Sequence, residues 1–197
     1  LLIPNASNTG PVLDWLAEWV SSQDQVRIED ITSSTAMIAH QGPQATSMLA
    51  ELTSADLASM RLFSAVDAQV AGAEALVART GYTGEDGFEI YLSNADSSPV
   101  WNTLLERGES AGLRPAGLGA RDSLRLEVGF PLYGNDLDQE HTPLEGRLGW
   151  LVKLDKGEFS GRGALMRQKE EGVKRRLVGI RLSERGFPRP GYAIVHN

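Results

Sequence analysis

The clearest alternation of apolar and polar positions lies in residues 81–92, whose apolar side chains fall on one face of a predicted strand: Phe88, Ile90 and Leu92. Glu89 and Tyr91 take the other face, because side chains in a strand alternate with a period of two. The Asp-Gly pair at Asp86 and Gly87 is typical of a tight turn, so the segment predicts a hairpin. The pattern leaves two roles open for Glu89: a solvated carboxylate on an exposed sheet face, or a functional group.

Further strands are predicted where short apolar or alternating runs are bounded by turn residues. They lie at residues 1–3, 26–31, 35–40, 61–71, 75–82, 148–154, 178–182 and 191–197. Strands grouped in pairs and interspersed with helices are typical of an α+β fold, in which helices pack on one face of a mainly antiparallel sheet.

Helices are predicted where apolar positions recur at spacings of three, four and seven residues. They lie at residues 11–20, 45–52, 98–108, 118–128 and 160–172. The apolar stripe of the first helix is expected in the core. Ser98 is the expected N-cap of the third helix, with Pro99 at its first position, and Ser160 is the expected cap of the last.

Arg121 stands in the first turn of the predicted helix 118–128, where the helix dipole disfavours a cation. One explanation is that Asp122 pairs with Arg125 while Arg121 lies in solvent. The other is that Arg121 points at an acidic ligand group or a buried carboxylate. The pattern does not choose between them.

Composition narrows the classes of function. A net charge of −7 argues against a general binder of nucleic acid or anionic membrane, because such binding rests on Lys and Arg. A small-molecule or protein partner is expected. The chain has no cysteine, which excludes thiolate chemistry and suits a reducing compartment. The 3 histidines lie far apart, and no metal site is predicted.

The two ends of the sequence predict a fragment of a longer protein. The chain begins on three apolar residues without an initiator Met or a charged flank, so we expect neither a signal peptide nor a membrane span. Near residue 172 a basic run introduces strand-like sequence. We therefore expect one region over 1–171 and the start of a separate β domain over 172–197.

Three segments together resemble a known family: RTGYTGEDGFEI at 79–90, GLGARDSLRLE at 117–127, and PLYGNDL at 131–137 followed by LGW at 148–150. They are similar to the aminomethyltransferase, or T-protein, of the glycine cleavage system. The resemblance implies the folate-binding fold of that family, with ferredoxin-like antiparallel sheets and helices. The segment RGFPRPG at 185–191 resembles the start of the family's C-terminal β-barrel.

The activity implied by the resemblance is an enzymatic one-carbon transfer. The family takes the aminomethyl group on the lipoyl arm of H-protein and transfers its carbon to tetrahydrofolate. The products are 5,10-methylenetetrahydrofolate, ammonia and the reduced lipoyl arm. Lipoylated H-protein and tetrahydrofolate are the implied partners, and the implied location is the cytoplasm, or the mitochondrial matrix in a eukaryote.

The resemblance also implies a folate site. Glu89 matches a pterin-binding Glu, which could accept the 2-amino and N3 hydrogens as a bidentate pair. Tyr82 would border the folate, Arg121 matches a folate-site Arg, and Asn5 matches a ligand-proximal Asn more loosely. The family's catalytic Asp lies upstream of Leu1 and a late folate-contacting Arg lies beyond residue 197, so we expect this chain alone to be inactive.

Three other assignments are compatible with a folate-binding relative. One is the C-terminal region of a dimethylglycine or sarcosine dehydrogenase, which follows a flavin domain. Another is a non-catalytic folate-binding protein of iron–sulfur cluster assembly, whose cysteine-containing motif is missing from this sequence. A tetrahydrofolate-dependent demethylase of sulfonium substrates would be separated only by assay.

Overall fold

Four strands form one antiparallel sheet in the computed structural model, which describes residues 1–21, 24–187, 189 and 191–195. They are β1 (Thr35–Gln41), β2 (Ala65–Val70), β3 (Ala73–Ala78) and β4 (Gly87–Ser93). The order across the sheet is β1-β4-β3-β2. The central strand β4 pairs with β1 and β3, while β1 lies at an edge.

Five α-helices accompany the sheet in the described residues: α1 (Thr9–Trp19), α2 (Ala45–Ala50), α3 (Asn94–Gly108), α4 (Leu118–Glu127) and α5 (Arg162–Glu171). Short 3-10 turns occupy Ala6–Asn8, Thr32–Ser34 and Glu109–Ala111. Antiparallel strands combined with helices confirm the mixed α and β class predicted from the sequence.

The core lies between the sheet and the helices α2 and α3. Its largest fully buried side chains are Phe88, Leu49, Ile90, Val70, Val77 and Val100. The predicted apolar face of β4 is therefore confirmed, since its three apolar residues belong to this cluster. Burying each such side chain contributes about 1.5 to 3 kcal/mol.

Two hairpins build the sheet, and their connections differ. Between β2 and β3 the chain turns at Ala71 and Gly72, both with positive φ (50° and 85°), the backbone of a primed two-residue turn. Between β3 and β4 it runs through the eight-residue loop 79–86. The hairpin prediction is confirmed, but the predicted tight Asp-Gly turn is wrong, because Asp86 is bound elsewhere, by Arg79 and Thr46.

The N-terminal expectations are only partly confirmed. Residues 1–3 and 26–31, both predicted as strands, are irregular, and Leu1 to Ile3 are exposed. Helix α1 forms as predicted, but it has no buried residue, and Trp15 and Trp19 are 50% and 65% exposed. Periodicity predicted the helix correctly and its burial wrongly.

Helix α3 begins earlier than expected. Ser93, rather than Ser98, is its N-cap and accepts a hydrogen bond from the Asp96 amide at 3.3 Å. Pro99 lies inside the helix. Helices α4 and α5 form close to their predicted bounds, and Gly161 rather than Ser160 caps α5.

Contacts divide the chain into two compact units, Leu1–Phe130 and Pro131–Asn197. In the second, the predicted strands 148–154 and 178–182 do not form, although the structure describes both segments. Trp150 and Ile180 are exposed. The predicted strand 191–197 lies partly outside the described residues, and its described part is irregular. The boundary near residue 172 stays a prediction.

Candidate functional site

A cavity of about 490 Å³ lies along the edge strand β1 in the first unit. Its volume falls in the range of small-molecule pockets. It is lined by Met37, Ile38, Ala39, His40, Gln41, Tyr82, Thr83, Glu89, Trp101, Leu104, Leu105, Leu113, Arg114, Ala116, Gly117, Leu118, Arg121 and Leu124. Helices α3 and α4 contribute most of the apolar lining, and the polar groups come from β1, the loop 79–86, β4, Arg114 and Arg121.

Three of the four predicted site residues meet in this cavity. Tyr82 comes from the loop 79–86, Glu89 from the central strand, and Arg121 from the first turn of α4. Tyr82 and Arg121, which are 39 residues apart in the sequence, therefore lie in the same cavity. Asn5 does not line the cavity; it is exposed, and its carbonyl accepts a hydrogen bond from the Asn8 amide at 2.8 Å.

Glu89 is half-buried and points away from the core, as the alternation predicted. Its Oε2 atom accepts hydrogen bonds from the Thr80 hydroxyl and, at 2.9 Å, from the Tyr91 hydroxyl. Burial raises the pKa of Tyr91 well above its usual value, and the hydrogen bond and negative charge of Glu89 raise it further. Tyr91 therefore remains a hydrogen-bond donor at neutral pH.

The loop that carries Tyr82 is tied down at both ends. Arg79 donates to both carboxylate oxygens of Asp86, at 3.0 and 2.8 Å, and also to the Met60 carbonyl at 2.8 Å. This hydrogen-bonded guanidinium is the main reason that the pKa of Asp86 lies below its usual value; the Thr46 hydroxyl adds to the effect. The bidentate pair fixes the separation of the loop ends.

Gln41 holds the same loop from β1. Its amide nitrogen donates to the Thr80 carbonyl at 3.0 Å and the Phe88 carbonyl at 3.1 Å. Gly81 and Gly87 leave room for this amide, since a Cβ on either would lie 1.9 or 2.6 Å from a Gln41 side-chain atom. The glycines of the motif thus serve close packing as well as turning.

Arg121 is exposed, and its side chain contacts the ring of Tyr82. Its guanidinium carbon lies 4.5 Å from the centroid of the Tyr82 ring, and Tyr82 stacks on Phe130 at 5.8 Å with an interplanar angle of 24°. Asp122 does pair with the buried Arg125, at 2.6 Å, as the structural explanation required. That explanation accounts for Arg125, while the position of Arg121 comes from its cation–π contact in the cavity.

Several residues around the cavity had no role assigned from the sequence. Gln41 and Thr80 act through a long-range and a cross-loop hydrogen bond that no local pattern indicates. Tyr91 lies two residues from Glu89, and the strand alternation placed both on one face without indicating that their side chains bond. His40 was noted only for its distance from other histidines, yet it is buried on β1, and burial lowers its pKa. Its Nε2 atom has no hydrogen-bond partner among the described residues.

The described residues contain neither a metal-binding cluster nor a helix able to span a membrane. No group of three or more His, Cys, Asp or Glu side chains there is arranged to hold a metal ion. No helix there has the length and apolar character needed to cross a membrane.

The family model of the GCVT N-terminal domain matches residues 1–156, most of the chain. This chain belongs to the GCVT family. The predicted resemblance to aminomethyltransferases is thereby confirmed.

GCVT relatives support the same assignment along the whole chain. The aminomethyltransferase of Caldanaerobacter subterraneus is 48% identical over 195 residues, which cover 98% of this chain and 52% of that protein. The aminomethyltransferase of Bacillus subtilis is 43% identical over 199 residues, covering 100% of this chain and 54% of that protein. The chain thus spans about half the length of the curated relatives it matches.

A solved GCVT structure shares the fold. The crystal structure of the glycine cleavage system aminomethyltransferase T from Bartonella henselae superposes with a TM-score of 0.71 at 31% identity. The match covers 85% of this chain and 45% of that one.

Proposed function

We propose that this chain supplies the pterin-binding part of a tetrahydrofolate-dependent aminomethyltransferase of glycine cleavage. The complete protein would move the one-carbon unit from the aminomethyl-lipoyl arm of H-protein to tetrahydrofolate and release ammonia. The observation that carries the proposal is the convergence of Tyr82, Glu89 and Arg121 on one cavity with an apolar wall.

The polar side of the cavity suits a pterin. The ring presents N–H donors at its 2-amino group and N3, and Glu89 is a carboxylate acceptor within the cavity lining. Hydrogen bonds to a charged acceptor are roughly twice as strong as neutral ones. Glu89 would therefore fix the orientation of the ring.

The remaining walls suit the flat ring system. Tyr82 and Arg121 form a cation–π pair that offers a planar face, and Trp101 and Leu104 line the wall from α3. Apolar walls with a few placed polar groups are typical of sites for organic ligands. Asn5 as a ligand contact rests on the family resemblance alone.

Catalysis requires groups that we place outside this chain. We propose that the acid/base Asp and a further folate-binding Arg belong to other parts of the complete protein, that residues 172–197 begin its β-barrel, and that it acts in the cytoplasm. The 197-residue chain should then fail to turn over aminomethylated H-protein. Turnover at the rate of a full-length relative would contradict this division of the site.

The decisive test replaces Glu89 in the full-length protein. Glu89→Ala should weaken tetrahydrofolate binding by about 1.5 to 3 kcal/mol, or roughly 10- to 150-fold, because it removes a charged acceptor. Isothermal titration calorimetry measures the affinity. The matched control is Glu85→Ala, which removes an exposed carboxylate of the same loop. Equal affinities for wild type and Glu89→Ala would reject the pterin site.

A second variant separates ligand binding from folding at Arg121. Arg121→Ala should reduce tetrahydrofolate affinity and leave the thermal midpoint near that of wild type, because the side chain is exposed. Arg107→Ala, which removes an exposed Arg from α3, is the control. A large drop in thermal midpoint with unchanged affinity would instead make Arg121 structural.

A further inference from the structure

The two oxygens of the Glu89 carboxylate are not equivalent. Oε2 accepts from both the Thr80 and Tyr91 hydroxyls. No protein donor reaches Oε1 among residues 1–21, 24–187, 189 and 191–195. A carboxylate oxygen has two lone-pair sites, so Oε2 is fully occupied and Oε1 has both sites open.

The two donors reach Glu89 from outside the cavity. Neither Thr80 nor Tyr91 belongs to the described residues that line it. Tyr91 is buried, at 8% exposure, and shares the face of β4 with Glu89. Their contact with the cavity therefore runs through the Glu89 carboxylate.

The surrounding structure fixes both donors. The carbonyl of Thr80 is held by the Gln41 amide at 3.0 Å, which limits the movement of its hydroxyl. Tyr91 lies opposite Met37 on β1 and Leu76 on β3, in the middle of the sheet. Because both donors are anchored in the sheet or its loop, the carboxylate is held in one rotation.

We propose that Thr80 and Tyr91 are positioning residues that clamp Oε2 and present Oε1 to the ligand. The proposal rests on the proposed function and refines it. The two hydroxyls hold the carboxylate in the rotation that turns Oε1, the oxygen without a protein donor among the described residues, towards the pterin N–H groups.

The test is a double-mutant cycle on tetrahydrofolate affinity in the full-length protein. Tyr91→Phe and Thr80→Val each remove one donor to Oε2, and each should weaken binding about tenfold when Glu89 is present. In the Glu89→Ala background the same two changes should alter affinity by less than about twofold, because a positioning residue has nothing left to position.

Two controls keep stability apart from positioning. Thr80→Ser retains the hydroxyl and should bind as wild type does. Thermal midpoints of the ligand-free variants show whether a loss of affinity follows a loss of folded protein. If Thr80→Val lowered both the tetrahydrofolate affinity and the thermal midpoint, and Thr80→Ser restored both, Thr80 would be a structural residue. That result would overturn its part in the proposal.

The remaining outcomes are distinct. Losses that are equal with and without Glu89 would overturn the inference, since the residues would then act on the fold or directly on the ligand. Full affinity of Tyr91→Phe and Thr80→Val, with Glu89→Ala still weakened, would overturn the inference and leave the proposed function standing. Full affinity of Glu89→Ala would reject both.

Discussion

Strand β4 and residues 148–154 have the same alternating pattern and different structures. In β4 the apolar residues are buried and the strand is central in the sheet. In the second segment Trp150 is 70% exposed, and the backbone makes turns, with the Leu151 amide bonded to the Leu148 carbonyl at 2.9 Å. The pattern alone does not determine whether a strand forms.

The difference lies in the partners that each segment finds. β4 pairs with β1 and β3, and α2 and α3 cover its apolar face. A strand needs neighbours for its N–H and C=O groups, because unpaired groups are costly once buried. Without a neighbouring strand among the described residues, 148–154 satisfies its amides locally through turns.

The largest expected effect contrasts one aromatic residue from each segment. Phe88→Ala should lower the free energy of unfolding by about 3 to 5 kcal/mol, since it opens a cavity in the core. Trp150→Ala, from the exposed segment, should change it by about 0.5 kcal/mol or less. Urea unfolding measures both. Similar losses would show that Trp150 is packed.

A smaller effect is expected where β4 begins. Gly87→Ala places a Cβ 2.6 Å from the Gln41 side chain, so the amide must leave its two carbonyl acceptors. Losing two hydrogen bonds should cost about 1 to 3 kcal/mol in urea unfolding. Gly119→Ala is the control, because a Cβ there meets no atom within 4 Å. If both alanines are tolerated equally, the Gln41 contact does not order this end of β4.

The smallest effect concerns the ion pair at the entrance to β4. Arg79 lowers the pKa of Asp86 in the folded state below its ordinary 3.8, so the pair stabilises the protein above that pH and is lost as the pH falls through the lowered pKa. Arg79→Gln should therefore reduce stability at neutral pH and converge with wild type in acid. Urea midpoints across the pH range test this.

The exposed pair Arg27–Glu29 supplies the matched control for the ion pair. Its side chains are 83% and 58% exposed, so Arg27→Gln should leave the pH dependence of stability unchanged. If the urea midpoints of Arg79→Gln and wild type differed by the same amount at every pH, the Arg79–Asp86 ion pair would not stabilise this end of β4.

Local pattern predicted those parts of the molecule that local chemistry determines. The buried face of β4, helix α4 and the Asp122–Arg125 pair follow from side-chain periodicity. The family motifs assigned Tyr82, Glu89 and Arg121 to one site, and all three line the same cavity. The contact of Thr80 with Oε2 was not predictable, because it depends on how an eight-residue loop folds back onto β4, whereas Tyr91 and Glu89 share a strand face that the alternation does indicate.

Burial was the least predictable property of helices and strands alike. The stripe of α1 has the spacing of a core helix, but it has no buried residue in this structure. Amphipathic spacing predicts that a helix has an apolar face. Whether another element packs on that face depends on tertiary contacts that the spacing does not specify. The same reasoning applies to 178–182, whose apolar residues remain exposed.

The position of Trp101 gives the cavity an optical probe of its own. Among the chain's 4 tryptophans it is the one that belongs to the described lining. An aromatic ligand entering the cavity would quench or shift the emission of Trp101, and Trp101→Phe would show how much of the signal comes from this residue. Binding can therefore be followed by intrinsic fluorescence, without a label.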